Sequence, residues 1–298
     1  VNKEELFDTI KNKLGSQLQF LEDKPEETVE STLKACWLTA SGFPCSAEEA
    51  MKKFLPELSE KQIIHLNELI EKRLKNFPLA HITGRQCFMG INLKSDNRAL
   101  IPRKETEILA QKAIQISKEL SAKKGVIKVM DICCGAGNLG LAVAFHNPNA
   151  SVFFTDLSSD AIELTKENIS FVNINNQLEA IQGDLFSAFE NVQFYEKMDM
   201  IMCNPPYISS AKVSKMKTEI SANEPVLAFD GGMFGTKIIQ KLITEAPKYL
   251  KKEGWLLFEV GVGQGDFIKR LCEETNNYNL VESVLDDKGK TRVIVVCK

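Results

Sequence analysis

"CCGAGNLG", residues 133–140, carries the spacing G-x-G-x-x-G at Gly135, Gly137 and Gly140, and Asp156 ends the apolar run that follows. A turn of this kind leaves a strand, opens a helix and receives a ligand at the helix N-terminus. Its flanks decide which fold it belongs to. "VIKVMDI" (126–132), "SVFFTD" (151–156), "LEAIQ" (178–182), "MDMIMC" (198–203) and "GWLLFEV" (254–260) are short apolar runs suited to buried strands. Helical spacing separates them at about 104–121, 138–146, 158–172 and 234–250. The alternation predicts an α/β, Rossmann-like, parallel doubly wound sheet with ligands at the C-terminal ends of its strands. The tail departs from that rhythm. After a helix at about 264–274, "YNLVESVL" and "TRVIVVC" are joined only by "DDKGK", too short for a helical crossover, so they are expected to form an antiparallel hairpin at the sheet edge.

Upstream, apolar residues recur at helical spacing: Leu6, Ile10 and Leu14, then Val29, Leu33 and Trp37, then Ile63, Leu66 and Ile70. This predicts a small helical bundle over 1–76, with capping-box spacing at Ser46 with Glu49 and at Ser59 with Gln62. Residues 77–103 read as a linker with a β-hairpin around Ser95 to Asn97, and 104–298 as the sheet domain. A length of 298 residues fits two domains.

Composition narrows the function classes. The net charge of −3, and eleven Lys and Arg against fourteen Asp and Glu in residues 1–75, argue against a clamp for nucleic acid. No apolar run is long enough to span a bilayer, and "VNKEELFDTI" lacks a basic start and an apolar core, so the chain is expected to be cytoplasmic. It begins at Val1 instead of Met, which reads as a trimmed end. The eight cysteines include no C-x-x-C, and only three histidines are present, so reduced thiols and no metal are expected.

A dinucleotide turn must accept a pyrophosphate. Here Asp131 precedes the glycines and puts a carboxylate at the mouth of the site, which repels an anion and attracts an ammonium and a sulfonium. S-adenosylmethionine has both. Asp156, with Leu157 beside it, suits a ribose diol of either cofactor. Asp184 in "QGDLF" is placed for an adenine amino group, with Leu185 or Phe186 against the ring. The reversed last strand also favours a class I methyltransferase over a nicotinamide enzyme. Each residue has a plainer reading: Gly135 and Gly137 as a strand-to-helix turn, Asp156 and Asn138 as helix caps, Asp184 as a turn residue, and Cys133 and Cys134 as small fillers.

"CNPPYI" follows the fourth strand of the sheet domain, so Asn204, Pro205, Pro206 and Tyr207 hang over the strand ends. Two prolines fix φ and remove two donors. The Asn204 side-chain oxygen and the Pro205 carbonyl make a pair of acceptors for the two hydrogens of a planar NH₂ group, against which Tyr207 can lie. The motif by itself leaves open a glutamine or asparagine amide, or the exocyclic amine of adenine in DNA or RNA.

With "PLAHITG", "FMG", "LIPRKETE", "EPVLAFDGG" and "GKTRVIV" added, the chain resembles the release-factor glutamine methyltransferases, the HemK or PrmC family, over nearly its whole length. The resemblance implies transfer from S-adenosylmethionine to the glutamine side-chain nitrogen in the Gly-Gly-Gln loop of peptide-chain release factors. It implies that Asn204 and Pro205 hold the amide, that Tyr207 and Phe88 wall its slot, and that Glu224 and Pro225 shape a loop beside it. Arg103 and Glu107 would be an ion pair or domain tether. The helical domain would recognise the partner, and the protein is expected to be a monomer that binds neither nucleic acid nor membrane. Two departures stand out. Cys133 and Cys134 replace the usual Gly and Thr or Ser, and a Cβ at 133 calls for a negative φ. Met233 and Phe234 replace a typical acidic pair. The alternatives are an adenine-N6 methyltransferase, a glutamine methyltransferase acting on another protein, and a non-catalytic domain that keeps the fold.

Overall fold

The computed structural model describes residues 2–298. Five helices open the chain: α1 (Lys3–Gln17), α2 (Val29–Ala40), α3 (Ala47–Ala50), α4 (Glu60–Leu74) and α5 (Leu79–Thr83). Ser46 accepts from the Glu49 N–H, and Ser59 with Gln62 forms a reciprocal box, which satisfies donors that a helix start leaves free. Thr28 and Ser31 form a second such box without an acidic partner. The apolar faces close on Trp37, which is fully buried and donates its indole N–H to the Pro56 carbonyl at 2.9 Å.

The hairpin after these helices turns earlier than Ser95. Strands β1 (Arg85–Phe88) and β2 (Ile91–Lys94) pair with Phe88 opposite Ile91, leaving Met89 and Gly90 as a two-residue loop, both at positive φ. That geometry matches the twist of the flanking strands. Ser95 to Asn97 instead lead the chain away from β2.

The sheet follows: α6 (Glu107–Lys124), β3 (Ile127–Ile132), α7 (Asn138–His146), β4 (Ala150–Asp156), α8 (Ser159–Val172), β5 (Leu178–Gln182) and β6 (Met198–Cys203). A loop with two single-turn helices, α9 (Ser210–Val213) and α10 (Thr218–Ser221), leads to α11 (Lys237–Tyr249) and β7 (Leu250–Glu259). The chain closes with α12 (Gly265–Glu274), β8 (Leu280–Leu285) and β9 (Thr291–Cys297). Strand order is β5-β4-β3-β6-β7-β9-β8, parallel from β5 to β7, with β9 antiparallel to both its neighbours. In β3, Ile127 and Val129 face one apolar layer while Met130 and Ile132 face the other, so helices cover both sides. This is the Rossmann-like fold of class I methyltransferases.

Within the closing hairpin β9 sits inside the sheet, between β7 and β8. Five consecutive buried residues, Arg292 to Val296, explain its place, whereas β8 has no fully buried residue and forms the edge. Helix α11 starts at Lys237 and not at residue 234, because Gly235 has φ +70° and Thr236 is its N-cap. Strand β7 begins at Leu250, straight from α11, four residues before the apolar run that predicts it. No helix among the described residues is long and apolar enough to cross a membrane.

Candidate active site

Strand order reverses between β3 and β6, and the loops diverging there leave a crevice at the strand ends. A cavity in it is lined by Cys133, Gly135, Asp156, Asp184, Leu185 and Asn204, and by Leu157 and Pro206. The glycine turn is held from outside the cavity. Thr165 of α8 donates to the Gly135 carbonyl at 2.8 Å and Asn168 to the Ala136 carbonyl at 3.0 Å. Gly137 has φ +80°, and a Cβ on Gly140 would collide with Phe154 and Val152 of β4.

Asp131 is not at the mouth of the site. It is fully buried beneath the turn, where one oxygen accepts the Gly140 N–H at 2.8 Å and the other has no partner. Burial pushes its carboxyl up to about 7; the Gly140 N–H lowers it and the Asp156 carboxylate raises it further. Any attraction it exerts on a cation therefore acts through the turn.

Cys133 takes φ +57°, against the expected negative value. A non-glycine residue there costs roughly 1–2 kcal/mol, and its unbranched side chain packs against the apolar cluster that includes Cys203 at the end of β6. Cys134 is buried and its thiol is raised well above the usual range, which suits a filler better than a nucleophile. All eight cysteines are free.

Asp156 ends β4 and accepts from the Gly135 and Ser158 N–H groups, each at 2.9 Å. Burial raises its carboxyl while these donors lower it. Each oxygen keeps acceptor capacity toward the cavity. Asp184 also lines the cavity, half-exposed and paired with Lys241 at 2.8 Å. Leu185 reaches the cavity, but Phe186 does not: it stacks on Tyr249 at 4.5 Å inside the core. A ligand with a ribose diol, an adenine and a cationic centre fits this set. A Cβ on Gly135 would meet nothing closer than Ala99 at 3.9 Å, so glycine leaves that space to the cavity.

A second cavity adjoins the first. Asn204 and Thr106 line both, while Pro205, Tyr207, Phe229 and Glu259 line only the second. Asn204 donates its Nδ2 to Thr106 Oγ1 at 3.1 Å, and the Tyr207 hydroxyl donates to Glu259 at 2.8 Å. The following loop approaches the turn closely, since a Cβ on Gly231 would fall 2.5 Å from the Pro206 carbonyl oxygen.

Of the residues expected around the slot, Phe88 lies elsewhere, and Glu224, expected in the loop beside it, faces away from both cavities. Phe88 is 1% exposed and packs in the core between the hairpin and the sheet domain. Glu224 is buried and lines neither of these two cavities: it accepts from the Ile101 N–H at 2.9 Å and pairs with Arg103. Arg103 also pairs with Asp23 at 3.2 Å, so the tether runs through Asp23 and Glu224 and not through Glu107. Glu107 instead accepts from Lys104 and from the Met89 N–H in the hairpin turn. Earlier in the same loop Glu219 is buried against Arg73 and Lys24, which ties the loop over the second cavity to the helical region. Thr106, Glu259 and Lys241 escaped the sequence reading. Glu259 had a signal, a carboxylate within the apolar run "WLLFEV"; the other two had none.

A doubly wound sheet with one reversed strand, a glycine turn at its switch point and an Asn-Pro-Pro-Tyr turn beside it define a class I methyltransferase. The Methyltransferase small domain family model matches residues 114–283. The release factor glutamine methyltransferase of Thermodesulfovibrio yellowstonii is 34% identical over 243 residues, covering 82% of this chain and 84% of the relative. That of Bacillus cereus is 31% identical over 239 residues, covering 80% and 82%. Among solved structures, the hMettl16 catalytic domain in complex with MAT2A 3'UTR hairpin 6 shares the fold with a TM-score of 0.53 at 12% identity, over 70% of this chain and 76% of that one. The chain belongs to the release factor glutamine methyltransferase family.

Proposed function

We propose that this protein transfers a methyl group from S-adenosylmethionine to the side-chain nitrogen of the glutamine in the Gly-Gly-Gln loop of peptide-chain release factors. The observation that carries the reading is Asn204, which lines both the cavity suited to the cofactor and the cavity bounded by Pro205 and Tyr207. When bound, the cofactor supplies a methyl group on a sulfonium, a good leaving group.

The chain's own residues supply orientation. Asp156 accepts from the ribose hydroxyls, Asp184 and Leu185 meet the adenine, and Gly135 lets backbone approach the ligand. Asn204 Oδ1 and the Pro205 carbonyl take the two N–H bonds of the glutamine amide, and the Tyr207 ring lies against its plane. An amide nitrogen is a poor nucleophile because its lone pair is delocalised. Holding both N–H bonds favours the geometry in which that pair points at the methyl group, and positioning of this kind supplies much of the catalysis. No strong base is needed, because the proton leaves after the new N–C bond forms.

In this reading residues 1–76 recognise the release factor, 77–103 link, and 104–298 carry out transfer. The protein works as a cytoplasmic monomer. Incubation with S-adenosylmethionine and release factor should add the mass of one methyl group to the Gly-Gly-Gln peptide. Labelling of nucleic acid in place of the peptide would reject the reading.

A further inference from the structure

The helical region meets the loop after β6 through charges sealed from solvent. Lys24, between α1 and α2, Glu27 just before α2, Arg73 of α4 and Glu219 of α10 are each at most 6% exposed. Glu219 spans the two cations: its Oε1 accepts from Lys24 Nζ at 3.4 Å and its Oε2 from Arg73 Nη1 at 3.1 Å. Glu27 closes the group, accepting from Arg73 Nη2 at 3.1 Å and standing 3.9 Å from Lys24. The charges balance, and only Glu219 comes from outside the helical region.

The chain neighbours of these residues show what the cluster holds in place. Asp23, next to Lys24, and Ile220, next to Glu219, both line the cavity bounded by Pro205 and Tyr207, as does Met216. The helical region and the loop thus each give part of the slot's lining, and the ion pairs behind them fix how far apart those parts stand. Stability alone does not call for such a device, since apolar side chains of similar size often match or better a buried ion pair. Charged hydrogen bonds add a fixed register, because each Glu219 oxygen meets its own cation.

We propose that Glu219, held by Lys24 and Arg73, is a positioning residue that sets the spacing between Asp23 and Ile220 and so the fit of the release-factor loop in the slot. This rests on the glutamine-methylation reading above. The helical region then does more than recognise the partner: it completes the slot. Five residues along the chain, Glu224 anchors the same loop on Arg103, which Asp23 also meets. With Glu219 removed the loop keeps that second anchor, so the fold survives while Ile220 is no longer held to the helical region. None of the four clustered residues lines the cofactor cavity, nor do Asp23 and Ile220, so cofactor affinity does not depend on the latch.

The test compares Lys24→Met, Glu219→Leu and the double variant by steady-state methylation of release factor, cofactor titration, thermal melting and hydrogen exchange of the loop amides at 209–224. Each single variant leaves a buried charge unmatched and should lower the melting temperature. Each should also lower kcat/KM about ten- to a hundredfold, the scale for a small misplacement of substrate. Most of that loss should fall in KM, with the cofactor Kd within about twofold of wild type. The double variant restores charge balance, since Arg73 keeps Glu27 and the Phe77 carbonyl. Its melting temperature should therefore return toward wild type while KM stays raised and the loop amides exchange faster, a split that a merely structural cluster would not give. A KM that recovers together with the melting temperature, or loop exchange equal to wild type in the double variant, overturns the proposal. If a single variant does not fold, the double variant decides; if the double does not, Glu219→Gln decides by the same KM and exchange measurements. A wild-type enzyme that leaves the Gly-Gly-Gln glutamine unmethylated overturns instead the reading of the site on which the proposal stands.

Discussion

The turn after β3 keeps its shape through backbone groups: Gly137 at φ +80°, Gly140 against Phe154, and carbonyls held by Thr165 and Asn168. The turn after β6 relies on proline rings and on side chains, with Asn204 bonded to Thr106 and Tyr207 to Glu259. The first presents open backbone and a carboxylate to a ligand; the second presents oriented acceptors to a reacting group. A backbone-built turn tolerates a change of side chain, as Cys133 shows in a position with φ +57°. A side-chain-built turn should tolerate very little.

That contrast fails if Asn204→Ala retains turnover. The expected loss is about a thousandfold in kcat, the scale for removing one oriented transition-state contact, with cofactor affinity changed by only a few-fold. Isothermal titration beside the methylation assay separates the two effects. On the other turn, Gly140→Ala should lower stability by about 1–3 kcal/mol through overpacking, read by denaturant melting. Full stability there would mean that β4 can yield.

Asp156→Asn probes the same contrast from the cofactor side. It replaces an acceptor with a donor at the ribose and should weaken cofactor binding by about 1.5–3 kcal/mol, the range for hydrogen bonds to charged groups. KM for release factor should not move. A change in that KM with no change in cofactor affinity would refute the assignment of Asp156.

Asp131 gives a pH-dependent prediction. Its folded carboxyl titrates at about 7, above the ordinary value of 3.8, so between those values the folded state binds more protons than the unfolded one. Stability from this group is fully present below the lower value and is lost as pH rises through the upper one. Asp131→Asn keeps an acceptor for the Gly140 N–H and should gain stability relative to wild type across that window, then level off. A constant difference in melting temperature with pH would contradict the burial argument. The smallest effect expected is from Cys133→Gly, which should stabilise by about 1 kcal/mol by relieving a positive φ and leave methylation intact.

Much of this architecture is legible in the order of the residues. Strand periodicity locates the parallel core, because a strand covered on both faces must be apolar throughout, and "DDKGK" is too short for anything but a hairpin. The Asn-Pro-Pro-Tyr turn after β6 is equally visible, since proline stiffness and a carboxamide are local properties. The hairpin at Met89 and Gly90 is harder to read, because methionine seldom signals a positive φ.

The fold class, the two turns and the chemistry each can offer depend on residue type and on near neighbours, so the amino-acid order alone is enough to specify them. Which acid faces a ligand and which is sealed beneath a turn, as with Asp156 and Asp131, is settled only when the chain folds. Folding likewise sends Phe88 into the core, sets Glu224 on Arg103, and brings Tyr207 to Glu259 and Asn204 to Thr106. Burial and hydrogen-bond direction are set by residues far apart in the chain, and no local pattern records them.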